Sequence, residues 1–239
     1  MADMESPPHP RSTRGRPAKP PLSEDAILDV ALRIVREEGL DAVTMRRLAT
    51  ELDTGPASLY VYFSGRDALL NAMLDRVSGM VPLEEPDPAR WREQVHRLLR
   101  GMLEAMEAHP GIATVAVANP PTSERTLLGA DNLLGLLRAG GVRDQDAAWA
   151  CDILPLITTA LAVETAVYQQ RAAGGVTEEE VVERLAETFR SLDPPRFPNL
   201  VALGQFLTTG SGDDRFHFAV DVFLDGLVAR AARRPPAGQ

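Results

Sequence analysis

Between residues 44 and 66 the chain crowds together side chains suited to recognition rather than to bond-making. Thr44, Arg46, Arg47, Ser58, Tyr60, Tyr62 and Arg66 bring hydroxyl and guanidinium groups, and Pro56-Ala57-Ser58 adds a run of small residues. Such groups donate hydrogen bonds to oxygen acceptors, and none is a nucleophile with a neighbouring base. The residues that carry catalysis or bind metal are scattered. His9, His96, His109 and His217 lie in four separate segments, and Cys151 stands alone in an apolar stretch. Neither a metal-ligand spacing nor a disulfide framework follows, so no metal, no cofactor and no enzyme site is expected. Two competing readings stay open: a helical enzyme, supported only by a lone Glu164 in an apolar helix, and a helical scaffold that holds a protein partner.

The elements that must position residues 44–66 are helical. Leu59-Tyr60-Val61-Tyr62-Phe63 has the composition of a strand, yet nothing nearby offers a partner strand and both flanks have helical signals. Ser23 suits an N-cap with Glu24 and Asp25 in the first turn, and Gly39 a C-cap. Thr44 caps a short helix in which Met45, Leu48, Ala49 and Leu52 share a face. Asp53-Thr54-Gly55 breaks it, and Pro56 suits the first turn of the next helix. Ser64-Gly65-Arg66-Asp67 has the spacing of a capping box that opens a fourth. Leu59 and Phe63, four apart, face inward and leave Pro56, Ala57, Ser58, Tyr60 and Tyr62 outside. A short helix, a tight turn and a second short helix over 44–63 is a helix-turn-helix. Small residues at its second helix let the backbone approach base edges in a major groove, and tyrosine hydroxyls reach phosphates without adding charge.

Composition neither supports nor blocks that reading by itself. The 239 residues carry a formal net charge of −9, against what phosphate binding needs. The charge is unevenly spread: Arg11, Arg14, Arg16 and Lys19 stand together without an acid. Residues 1–21 are expected to be a disordered basic arm whose Arg14 and Arg16 enter a minor groove. No apolar run of 18 residues exists, so no membrane-spanning helix is expected and the protein is placed in the cytoplasm.

"GLDAVTMRRLATELDTGPASLYVYFSGRDALLNAMLD" resembles the DNA-binding domain of the TetR family of bacterial transcriptional repressors. "HPGIATVAVANPPTSERTLLGADNLLGLLRAGG" and "FAVDVFLDGLVARAAR" resemble the regulatory half of the family's tetracycline-repressor branch. The resemblance implies an all-α fold: a three-helix DNA-binding domain over 22–80, then a larger helical effector-binding and dimerisation domain over 81–234. It implies that Thr44, Tyr60, Tyr62 and Arg66 contact phosphates, that Arg46 points to a base edge with Arg47 beside it, and that Pro56, Ala57 and Ser58 face bases. The turn departs from the family's pattern, with Asp53 where glycine is usual, but aspartate tolerates the left-handed conformation. The branch anchors drug-chelated magnesium through a histidine; the matching position here is Ala116, so a ligand is expected to bind without metal.

The C-terminal half shows amphipathic helices around "DAAWACDILPLITTALAVETAVYQQRAAGG", which is apolar nearly all round and predicts a buried central helix kinked at Pro155. "DPPRFPNLVALGQFLTTGSGDD" predicts a loop with one short helix. Leu98, Met102, Met106, Asn132, Leu136, Trp149, Ile153 and Thr158 are the candidate lining of a pocket for an apolar or amphipathic small molecule. The apolar faces over 154–167 and 216–227 are the candidate homodimer surface. The function implied is a ligand-responsive repressor on a palindromic operator, released when an effector shifts the helix over 66–77.

Overall fold

The computed structural model describes residues 21–119 and 121–233, and the regular structure among them is helical. Arg14, Arg16 and all but the last residue of the expected arm lie outside the described residues. Helix α1 (Glu24–Glu38) begins where Ser23 Oγ accepts the Ala26 N–H at 3.1 Å. It ends at Gly39, whose φ of 86° lets its own N–H return to the Val35 carbonyl. A 3-10 turn (Leu40–Ala42) leads to α2 (Met45–Glu51), capped by Thr44 through the Arg47 N–H. Then come α3 (Pro56–Leu59) and α4 (Arg66–Ser78). Ile27, Ile34, Leu48, Leu59, Leu69 and Met73 are all fully buried between them. At about 1.5–3 kcal/mol for each large side chain removed from water, this core overrides the strand propensity of Leu59–Phe63.

Two local expectations are corrected. α3 is one turn long, and Tyr60–Tyr62 form the turn after it, closed by the Phe63 N–H on the Leu59 carbonyl at 3.0 Å. Leu59 and Phe63 still point into the core. The capping box at Ser64 does not form: α4 starts one residue later, at Arg66, and Gly65 at its N-cap supplies no side-chain bond.

The rest of the chain comprises α5 (Trp91–Glu107), α6 (Ile112–Ala118), α7 (Glu124–Ala139), α8 (Asp144–Ala173), α9 (Glu178–Arg190), α10 (Pro198–Leu207) and α11 (Gly212–Arg233). A second core forms where α5, α7, α8 and α11 meet. α6, a helix that periodicity did not reveal, joins the two cores: Ile112 and Val115 bury in the first and Ala113 in the second. Gly111 seats it. At φ 94° its backbone suits glycine, and a Cβ there would come 2.7 Å from the Leu40 Cβ. His109 is buried just before it. Its Nδ1 lies 2.8 Å from the Ala105 carbonyl, which fixes Nδ1 as the donor and leaves Nε2 to accept from Arg36 of α1 at 3.2 Å.

α8 is not buried all round, as its composition suggested. Leu154, Thr158 and Ala162 face the core, but Trp149, Leu156 and Val167 are 56%, 54% and 41% exposed. By length and composition it could also cross a membrane, against the expectation drawn from uninterrupted apolar runs; 28% of its most apolar 18-residue window is buried. Its N-terminal turn is tied to α11 through buried Asp146, which Arg143 and Arg230 both engage. α9 opens with a complete capping box between Thr177 and Glu180 and packs on α10 where Gly204 meets Phe189.

Candidate nucleic-acid interface and adjoining cavity

α2 and α3 are held at a fixed angle by the turn between them. Asp53 takes φ 48°, the left-handed conformation, and the Thr54 N–H closes on the Ala49 carbonyl at 2.9 Å. This leaves Pro56, Ala57 and Tyr60 on the surface, with Tyr60 53% exposed, and Val61 beside them 81% exposed. Ser58 is half-buried. Arg46 points outward from α2, and no hydrogen bond or ion pair engages its side chain among the described residues. A free guanidinium beside a small-residue helix start has the donors and the clearance to reach a base edge.

Three neighbouring residues have other work in this structure. Arg47 pairs with Glu38 of α1 at 2.8 Å and with Glu51 one turn on. Arg33 also reaches Glu51, and these two arginines hold its carboxyl below the usual carboxylate range. Arg47 therefore braces α2 against α1. The Tyr62 hydroxyl donates to the Leu22 carbonyl at 2.6 Å, which ties the entry of α1 to the recognition turn. Arg66 donates to the Val43 and Leu40 carbonyls, both at 3.3 Å, and clamps the 3-10 turn. The contacts expected of these three with phosphate would compete with bonds already made.

A cavity of about 350 Å³ opens between α4, α5, α6, α7 and α8. α4 contributes Leu74, Val77 and Ser78, so the helix that supports the helix-turn-helix also walls the cavity. Leu98, Met102 and Met106 of α5 line it, together with Ala116, Leu133, Pro155 and Leu156. The other candidates lie elsewhere. Leu136 is fully buried in the core, and Trp149 and Ile153 sit on the outer flank of α8. Thr158 is buried with its hydroxyl on the Leu154 carbonyl, while its neighbour Thr159 lines the cavity. Asn132 donates to the Glu84 carbonyl at 2.7 Å and so fastens the segment before α5. Glu84 is itself gripped by Arg97 through two 2.7 Å bonds, which lower its carboxyl pKa to about 2. Arg125, Thr126, Cys151 and Asp152 line the cavity without having been foreseen.

Comparison with known proteins decides what this arrangement belongs to. Residues 27–73 match the bacterial regulatory proteins of the tetR family, and residues 85–231 match the tetracyclin repressor-like C-terminal domain. The chain belongs to the TetR family. The HTH-type transcriptional repressor DrrR1 of Streptomyces coeruleorubidus is 32% identical over 230 residues, which span 94% of this chain and 83% of that protein. The TetR family protein ActR of Streptomyces coelicolor, solved in complex with actinorhodin, aligns with a TM-score of 0.81 at 38% identity, covering 90% of this chain and 99% of the other. Its apo form gives 0.81 at 37%, over 89% and 97%. As a TetR-family protein the chain is a DNA-binding transcriptional regulator and not an enzyme.

Within this TetR fold two histidines from separate segments meet after all. His96 and His217 stack with centroids 5.4 Å apart, and His96 Nε2 lies 2.8 Å from Asp221 Oδ1. Sequence spacing could not show this, because the pair is made by α5 and α11 crossing. Among the described residues no group of three or more His, Cys, Asp or Glu is arranged to hold a metal ion. Ala116, where the resemblance implied the magnesium-anchoring histidine of the tetracycline repressors, brings only a methyl group to the cavity.

Proposed function

We propose that this protein is a cytoplasmic, homodimeric repressor that binds a palindromic operator and leaves it when a small apolar or amphipathic molecule occupies the cavity. One observation carries the reading. α4 belongs to both machines, burying Leu69, Leu70, Met73 and Leu74 under the helix-turn-helix while Leu74, Val77 and Ser78 wall the cavity. A ligand that fits the cavity better in one position of α4 biases the DNA-reading surface by that difference in affinity. The repressor DrrR1 and the actinorhodin complex of ActR support the direction of control and the use of a small molecule. The separate family matches at 27–73 and 85–231 support a division near residue 80 into a DNA-binding domain (22–80) and an effector and dimerisation domain (81–234).

In this reading Arg46 reads a base and Pro56, Ala57 and Ser58 approach the groove floor. Thr44 and Tyr60 position the protein on phosphates, joined by Tyr62 and Arg66 where their internal bonds allow. The dimer face is the uncovered flank of α8 with the outer stripe of α11, where Phe218 and Val222 stand 70% and 54% exposed. Two heads about 34–36 Å apart then meet successive major grooves.

The test is fluorescence anisotropy with the DNA upstream of the protein's own gene at two salt concentrations. Arg46→Ala is expected to cost roughly 1–3 kcal/mol and relax selectivity at one base pair. Arg47→Ala should lower thermal stability with little change in base preference. Unchanged selectivity in Arg46→Ala would overturn its role as the base reader, and binding insensitive to salt would overturn DNA as the partner.

A further inference from the structure

Resting on the cavity as the effector site, we infer that its ligand is an amphipathic cation: an apolar body that carries a protonated amine and anchors it at Asp152. The argument is an inventory of donors and acceptors on the walls. Thr159 Oγ1 donates to the Pro155 carbonyl at 2.8 Å, Cys151 Sγ to the Ala130 carbonyl at 3.6 Å, and Asn119 Nδ2 to the Val115 carbonyl at 2.8 Å. Thr126 shares its hydroxyl with Ser123 and Ser78. Most side-chain donors are therefore committed. The acceptors are not. Asp152 has no hydrogen bond or ion pair among the described residues, and its carboxylate is exposed at the cavity mouth. Pro155 has no N–H, so the Cys151 carbonyl, four residues back, lacks its helical donor. A wall rich in free acceptors and poor in free donors matches a ligand that donates.

Charge points the same way. Arg125 and Asp152 are the charged residues on the cavity wall. Arg125 is answered by Asp75 of α4, 3.7 Å away. Asp152 is answered by nothing, and its field reaches inward: burial first, and then the negative charge of Asp152, push the Cys151 thiol above its ordinary value. No aromatic ring lines the cavity among the described residues, so a cation would be held by the carboxylate and not by a ring face. A volume of about 350 Å³ suits a compact ligand, near the lower end of roughly 300–1,000 Å³ for small-molecule sites.

Three probes with one ring system separate the possibilities: an aminomethylanthracene, protonated at neutral pH, its uncharged N-acetyl amide, and an anthracene carboxylate. Their fluorescence anisotropy with the full-length protein gives the affinities. The cation is expected to bind about tenfold tighter than the amide, the size of one charge-assisted hydrogen bond, and the carboxylate weakest. Asp152→Asn should erase most of the cation's advantage while leaving the amide's affinity, the melting temperature and operator binding as they are. Asn119→Leu, which removes a neighbouring acceptor, should cost the cation more than the amide. Equal binding of cation and amide, or a preference that survives Asp152→Asn, overturns the inference and leaves the effector cavity standing. Failure of all three probes to bind overturns the cavity reading as well.

Discussion

Asp75→Ala should loosen α4 from the cavity wall, and the structure indicates by how much. Asp75 Oδ1 accepts the Arg125 N–H at 2.9 Å, and Oδ2 lies 3.7 Å from the Arg125 guanidinium. Arg125 is the second residue of α7, and Ser123 at the N-cap of that helix makes no bond to the helix backbone. The cap thus comes from another element, the same helix that supports the DNA-reading surface. Losing a side-chain cap costs about 1 kcal/mol, and losing a carboxylate at a helix N-terminus about 0.3–1 kcal/mol. The ion pair adds little, because the Arg125 side chain is half exposed and solvent screens it. The sum is about 1–2 kcal/mol, or roughly 2–6 °C in melting temperature for a chain of this size. Asp75→Asn keeps an acceptor and drops only the charge, so it should lose less than half as much. A second readout is the ratio of operator affinities with and without effector, measured by anisotropy. That ratio should shrink in Asp75→Ala, because the wall no longer pulls on α4. Wild-type melting together with an undiminished ratio would refute the reasoning, and equal damage from both variants would shift the weight from the cap to the charge.

Other consequences are open to direct measurement. Arg143 first, and then Arg230, hold the buried Asp146 carboxyl below the ordinary carboxylate range. A depressed folded-state pKa contributes stability above the unfolded value and loses it as pH falls through the folded one. The stability gap between wild type and Asp146→Asn, followed by urea unfolding, should therefore narrow below about pH 4; a gap constant across the acid range would sink the assignment. Gly140→Ala would place a Cβ 2.3 Å from the Trp91 ring at a φ of −76° that alanine accepts readily, so the cost is steric, about 1–3 kcal/mol. An unshifted melting temperature and unchanged tryptophan emission would contradict that packing. Phe218→Asp should move the protein from dimer toward monomer in analytical ultracentrifugation with its helix content intact, and an undisturbed dimer would exclude this face.

Legibility followed the range of the interactions. Ser23, Gly39, Thr44 and Pro56 mark helix ends within four residues of themselves, and each was readable because a cap needs only its own turn. Arg46 and Arg47 are adjacent and alike in sequence, and their difference is tertiary. Glu51, one turn from Arg47, was in view, but Glu38 arrives from another helix and completes the brace that takes Arg47 out of play. The same holds for Arg66 and Tyr62, whose acceptors are backbone carbonyls far away in the chain.

The cavity was misplaced for a different reason, which lies in α8. An apolar stripe announces a helix's buried face only when the other faces are polar. α8 presents Leu154, Thr158 and Ala162 to the core, Cys151, Pro155 and Thr159 to the cavity, and Trp149, Ile153 and Leu156 outward. With every flank apolar or only weakly polar, periodicity has no contrast from which to choose a rotation, and Trp149, Ile153 and Thr158 were as plausible as the residues that line the space. The usable signal was Pro155. A proline inside a helix of 30 residues leaves one carbonyl without its donor, and an unsatisfied acceptor in an apolar helix marks the flank on which a ligand has something to bind.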